Sequence, residues 1–200
     1  EIHSGDWSSD VCSSDLHKET VWLIDWNNPA NNDFAFAEEV TVAGVYGKRP
    51  DIVLYVNGIA LAVLELKRSV VDVAEGIRQQ ISSQKPEFIE SFFSTVQFVL
   101  AGNDVQGVRY GTIGTPEKYF LNWKDEGGDE PELLDRNLAS LCRKDRLLEL
   151  VHDFVAFDGG IKKVCRHNQF FGVKASQDFV RRQASGIIWH TQGSGKSLTM

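Results

Sequence analysis

An apolar hairpin that ends in charge constrains this chain more than any other feature. Arg49, Pro50 and Asp51 lead into the apolar run Ile52 to Val56; Asn57-Gly58 makes the turn, and Ala60 to Leu64 runs into Glu65-Leu66-Lys67. Carboxylates taken out of water are costly unless paired or bound to a cation. A divalent metal held by Asp51 and Glu65, with Lys67 beside it, supplies the required partner.

Strand parity sets a condition on that site. Side chains alternate along a strand, so Glu65 and Lys67 share one face and Leu64 and Leu66 the other. A regular two-residue turn at Asn57-Gly58 pairs Val56 with Ile59 and sets Asp51 opposite Leu64, on the wrong face. A three-residue loop of Val56, Asn57 and Gly58, with Gly58 left-handed, pairs Tyr55 with Ile59. Asp51 then lies opposite Val63 and diagonal to Glu65, roughly 7–8 Å away, a span that a bridging metal can close. The expectation is therefore the three-residue loop, or else a distorted strand at Asp51.

The chain has 200 residues, enough for one domain or one domain plus the start of another. Its 42% hydrophobic and 10% aromatic content supports a packed core and argues against disorder. A net charge of −7 argues against a broadly basic nucleic-acid binder, yet a local channel needs only a few cations on one surface. Lys48, Arg49, Lys67, Arg68 and Arg78 cluster around the proposed site, whereas acid concentrates in 125–135. No apolar run approaches the ~20 residues of a membrane span, and no secretory-type segment is evident. The three cysteines, Cys12, Cys142 and Cys165, show neither metal-ligand spacing nor a disulfide framework, so a reducing cytoplasm is expected. Residues 1–16, rich in Ser and Asp and without periodicity, resemble a translated sequencing-library adapter. They are read as non-native and left out of the fold.

Strands are expected at 20–25 and 34–43, on either side of an Asn/Pro-rich loop at 27–32. The hairpin occupies about 51–67. Val73, Ile77 and Ile81 recur every fourth residue and predict an amphipathic helix over 71–83. A second helical stretch over 86–93 precedes strands at 96–101, 108–113 and 119–123. After the acidic loop 125–131 come helices over 134–157 and 162–183, then a short strand, 186–190.

That last strand runs into Thr191-Gln192-Gly193-Ser194-Gly195-Lys196-Ser197. A strand, a glycine loop and a following helix form the context of a phosphate-binding loop. Glycines let backbone N–H groups turn in on the phosphates, with Lys196 reaching the β/γ-phosphates and Ser197 placed for Mg2+. His190 stands where the strict pattern has its first glycine, while Gly193 and Gly195 make the tight turn.

A Pro-Asp…Glu-x-Lys hairpin joined by helices to such a loop resembles the N-terminal part of the restriction (R) subunit of type I restriction-modification enzymes. The resemblance covers about 20–200 and includes Asn32-Asp33-Phe34, the segments 98–104, 109–112, 153–157 and 166–171, and above all 186–197. It implies an α/β fold: a restriction-endonuclease-like (PD-(D/E)xK) nuclease domain over 17–150. A helical connector and the truncated start of a RecA-like helicase motor follow over 151–200. It implies Mg2+ on Asp51 and Glu65, with Lys67 orienting the attacking water or stabilising the charged transition state. Family members carry Gln-x-x-x-Tyr on the following helix. Gln79 stands at its first position and is a catalytic candidate, but Ser83 replaces the tyrosine and is expected to be a plain helix-surface residue. Gln169 matches a glutamine that contacts adenine in related motors, so ATP is expected against Gln169 and Gly193 to Ser197.

The implied reaction is ATP-fuelled translocation of double-stranded DNA followed by cleavage, in a complex with methyltransferase and specificity subunits in a prokaryotic cytoplasm. Sequence recognition then resides in the specificity subunit, so this chain should contact phosphates and need not read bases. The competing expectations are a motor whose nuclease-like domain binds without cutting, and a P-loop kinase or transporter ATPase. A chain ending three residues after Ser197 is expected to lack productive ATP hydrolysis and to support 184–200 poorly.

Overall fold

The computed structural model describes residues 21–124 and 131–199. The proposed non-native segment 1–16 and most of the acidic loop 125–131 lie outside the described residues. A six-stranded sheet runs in the order β1 (Phe34–Glu38), β2 (Ile52–Val56), β3 (Ile59–Leu66), β4 (Phe98–Asn103), β5 (Gly107–Gly111) and β6 (Leu121–Asn122). Neighbours are antiparallel except β3 and β4, which are parallel and joined through helix α1 (Val73–Ser83). A parallel pair needs such a crossover connection, because a tight turn can only reverse the chain.

The sheet is covered on both faces. On one side Val73 and Ile77 of α1 pack on Ala101, while Ile89, Phe93 and Val96 cover Val53, Val63 and Val99. On the other, helices α2 (Leu133–Leu141), α3 (Lys144–Asp153) and α4 (His167–Arg181) bring Leu134, Leu141, Leu147, Leu150 and Phe170 onto Leu64, Leu100, Tyr110 and Trp123. Burial on both faces explains why β3 and β4 read as nearly continuous apolar runs without alternation.

The turn of the central hairpin differs from the three-residue expectation. Asn57 and Gly58 alone form it, with φ of 50° and 78°, and Val56 pairs with Ile59. Positive φ at both central residues is the turn whose twist matches the flanking strands, and Asn-Gly is its preferred sequence. The distortion falls further along. Tyr55 pairs with Ala60, but Leu54 pairs with Ala62, so Leu61 is a β-bulge. Its neighbourhood is satisfied by the chain entering β4: Thr95 Oγ1 donates to the Ala60 carbonyl at 2.9 Å and Gln97 N to the Leu61 carbonyl at 2.7 Å.

Several expected elements take another form. Residues 21–25 are not a strand; asparagine side chains take over their backbone bonds, with Asn32 Oδ1 accepting from Asp25 N and Asn57 Nδ2 donating to the Leu23 carbonyl. The strand expected over 34–43 stops at Glu38, because Glu39 turns to a φ of 51°. The stretch 86–93 yields only a short 3-10 helix, Glu90–Ser94, and 119–123 only β6 preceded by another 3-10 turn, Glu117–Tyr119. The helix expected over 134–157 breaks at Cys142 and Arg143, whose extended ψ of 131° starts α3 afresh. The hairpin β7 (Val155–Asp158) and β8 (Ile161–Val164) then replaces the end of one expected helix and the start of the next. Gly159 and Gly160, with φ of 57° and 81°, form its turn. Residues 186–190 form no strand and carry no regular secondary structure, and Trp189 is 88% exposed. Among those residues no helix is long and apolar enough to cross a membrane.

Candidate active site

The bulge decides where the carboxylates point. Leu61 and Ala62 both join the clusters on the α2–α3 side, so β3 is re-phased by one residue beyond them. Ile52 then lies opposite Leu64, and continuing that register by one step sets Asp51 opposite Glu65. Residues opposite one another on antiparallel strands share a face. Without the extra residue Glu65 would have faced Pro50, and Asp51 and Glu65 would have diverged.

The resulting cluster sits on the α1 side of the sheet. Asp51 is half-buried, and its Oδ2 accepts from Leu66 N at 2.7 Å, so the side chain takes a place in the strand ladder. Glu65 is only 4% exposed. Its Oε1 accepts from Lys67 Nζ at 2.7 Å, and the same ammonium donates to Gln79 Oε1 of α1 at 2.8 Å. Burial holds the Glu65 carboxyl above its ordinary range; the Lys67 bond opposes this, and the charge of Asp51 adds to it. Two hard carboxylate donors on one face, with the Lys67 ammonium bonded to only one of them, suit a divalent cation of the Mg2+ kind. Among the described residues no group of three or more His, Cys, Asp or Glu is placed to hold a metal ion by itself. A cation here would complete its shell with water or a ligand oxygen, as Mg2+ commonly does.

Ser83 corrects an expectation. It is 7% exposed, so it does not lie on the helix surface, and its hydroxyl donates to the Gln79 carbonyl at 2.9 Å. It braces α1 one turn behind Gln79. The surrounding cations are less available than their number suggests. Arg78 is engaged by Glu75 and Glu117, Arg49 pairs with Glu39, and Lys48 lies over the Phe88 ring. Arg68 is exposed.

The glycine loop forms a second constellation. Gly193 and Gly195 adopt φ of 77° and 85°, and Lys196–Leu198 makes a single 3-10 turn. Lys196 and Ser197 are exposed. Ser194 is buried, with its hydroxyl 3.4 Å from His190 Nδ1. Gln169 is buried at the start of α4, where its Oε1 accepts from Arg166 N and its Nε2 donates to the Gly195 carbonyl at 2.9 Å. Arg166, which the sequence did not single out, donates to the Gly193 carbonyl at 3.2 Å. Its position at the head of an amphipathic helix carries no sequence signal for that role. A cavity of about 500 Å³ lies alongside, lined by Val173, Gln177, Arg181, Ile188, His190 and Lys196 among others.

The family model for the N terminus of type I restriction enzyme R proteins matches residues 4–118, which include Asp51, Glu65, Lys67 and Gln79. The chain belongs to that family. A SWI2/SNF2 ATPase model matches residues 168–200, the stretch from Asn168 through the glycine loop. The chain is 30% identical, over 91% of its length, to the HindI endonuclease subunit of a type I restriction enzyme from Haemophilus influenzae. It is 26% identical, over 88%, to the SauCOLORF180P endonuclease subunit from Staphylococcus aureus. It spans 19% and 20% of those two relatives, about a fifth of their length.

Proposed function

We propose that this chain is the nuclease end, and the beginning of the motor, of a type I restriction endonuclease subunit. In this reading 17–150 is a PD-(D/E)xK nuclease domain, and 151–200 connects to a RecA-like motor and opens it. The observation that carries the reading is the convergence of Asp51, Glu65, Lys67 and Gln79 on one face through an irregular strand. A simple rim salt bridge would not need a bulge to bring a second carboxylate opposite the first.

Asp51 and Glu65 would hold Mg2+, which when bound supplies Lewis-acid activation of phosphate and water. Lys67, steered by Glu65 and Gln79, presents an ammonium where charge develops on the phosphate or where a water must be oriented. Gln79 acts through Lys67, fixing the ammonium from the helix side. Double-stranded DNA would be the substrate, with methyltransferase and specificity subunits as partners in a prokaryotic cytoplasm. At the loop, Lys196 and Ser197 would meet ATP phosphates and Mg2+, with the backbone N–H groups around Gly193 and Ser194 lining the cradle. Gln169 would turn from the Gly195 carbonyl toward the adenine.

A second reading, a motor-linked module that binds DNA without cutting, draws support from Ser83, because the family tyrosine is replaced by a hydroxyl spent on its own helix. One experiment separates the two. Mg2+-dependent cleavage of plasmid DNA by the assembled complex should fall by at least about a hundredfold in Asp51→Ala and in Lys67→Ala, the scale of losing a positioned charge at a reacting centre. Unchanged cleavage in either variant rejects the catalytic assignment.

A further inference from the structure

Helix α1 carries a glycine in its interior, where glycine is less favourable than alanine. Such a residue points to close packing or function. Gly76 is buried, and a methyl group there would stand 3.1 Å from Ala101 Cβ, 3.5 Å from Lys67 Cγ and 3.6 Å from Glu65 Cγ. Ala101 is fully buried and pairs with Glu65 across the parallel strands. The smallest residue of the helix thus lies over one of the smallest residues of the sheet, directly beside the charged cluster. Gln79 follows three positions later, on the same side of α1, and reaches Lys67 Nζ at 2.8 Å.

We propose that Gly76 and Ala101 form a positioning contact that sets the height of α1 above the sheet, so that Gln79 holds the Lys67 ammonium against Glu65. A methyl at position 76 would meet the aliphatic Cγ atoms of Lys67 and Glu65, whose charged ends are bonded to each other. Raising the helix lengthens the Gln79–Lys67 bond and frees Lys67 to rotate away from Glu65. This proposal rests on the nuclease reading of Asp51, Glu65 and Lys67.

Stability and positioning respond differently to substitution. Alanine at position 76 regains helix propensity while pressing on Ala101 by a few tenths of an ångström. A purely structural glycine would show its loss in the melting temperature. A positioning glycine shows it in turnover with DNA affinity intact. Misplacement by 1 Å costs on the order of a hundredfold in rate, so a shift of this size predicts about a tenfold loss.

The test uses the full-length subunit in its assembled complex with plasmid DNA, comparing wild type, Gly76→Ala, the double variant Gly76→Ala/Ala101→Gly and Lys67→Ala. Gly76→Ala should lower the cleavage rate at saturating DNA about tenfold with unchanged DNA affinity and raise the Mg2+ concentration needed for half-maximal rate. The double variant removes the methyl that the new one meets and should recover to within about threefold of wild type. A wild-type rate in Gly76→Ala, or a double variant as slow as the single one, overturns the proposal. Should Gly76→Ala fail to fold, Ala101→Ser intrudes on the same contact from the strand; slowed cleavage supports the positioning role and a wild-type rate overturns it. Undiminished cleavage in Lys67→Ala would instead overturn the nuclease reading, and the positioning proposal with it.

Discussion

Glu65 is the residue on which chemistry and stability meet. Its carboxyl is raised by burial first, with Asp51 adding to the rise and Lys67 opposing it. A carboxyl whose folded value lies above its ordinary 4.5 favours the fold when protonated. Its contribution is fully present below pH 4.5 and is lost as pH rises through the raised value. Metal-free protein should therefore lose stability with rising pH across that window, and Glu65→Gln should flatten the loss and melt higher than wild type at pH 7. Added Mg2+ should raise the melting temperature of the wild type at pH 7 and leave Glu65→Gln nearly unmoved. Thermal melts with and without Mg2+ at several pH values measure both effects. A wild-type midpoint indifferent to millimolar Mg2+ would sink the metal assignment. That Asp51, Glu65 and Lys67 gather at one end of the hairpin was legible in the sequence, because charge at the end of an apolar run is expensive and local. The braced hydroxyl of Ser83 was not, since Ser83 lies off the stripe of Val73, Ile77 and Ile81 that marks the covered face of α1 in the sequence.

At the scale of elements the hairpin carries the lesson. Parity showed that a regular two-residue turn could not bring Asp51 and Glu65 together, and an irregularity was required. Its location was hidden, because β3 is buried on both faces and carries no alternation to mark a register shift. The bulge is instead written into a distant segment: Thr95 and Gln97 supply the donors that its carbonyls need. Thr95→Val removes one of those donors and should cost about 1 kcal/mol, the net worth of such a bond. Equilibrium urea unfolding should show the loss as a lower midpoint with an unchanged slope. The variant should also need more Mg2+ for the stabilisation seen in wild type, because the bulge that aims Glu65 is less firmly held. A midpoint equal to wild type would mean that the Leu61 bulge stands without Thr95. The same scale explains the β7–β8 hairpin, which sequence reading overlooked. Its Gly159-Gly160 turn is a recognised signal, but the apolar residues around it also fit a helical period.

Across the whole molecule, the sheet and the glycine loop share α4. Phe170 is buried against Trp123 and Phe154 in the main core, while its neighbour Gln169 donates to the Gly195 carbonyl. Tyr110 on β5 donates its hydroxyl to the Cys165 carbonyl just ahead of the helix, and partial burial against this core pushes the half-buried Cys142 and Cys165 thiols up to about 12. Sequence periodicity located a helix here but could not say that its first turn completes a core built mostly from residues before 150, because that depends on long-range packing. A chain cut after Leu150 loses Phe154, Val164 and Phe170 from the face that covers Tyr110 and Trp123. Deleting a buried phenylalanine alone costs about 3–5 kcal/mol, a large share of the roughly 5–15 kcal/mol that holds a domain together. The 21–150 fragment should aggregate or melt far below a 21–182 fragment, which retains α4 but not the glycine loop. Comparing the two by circular dichroism melts and size-exclusion chromatography measures this directly. Equal melting temperatures would show that the sheet closes its core without α4, and that Gln169 and Phe170 serve the loop alone.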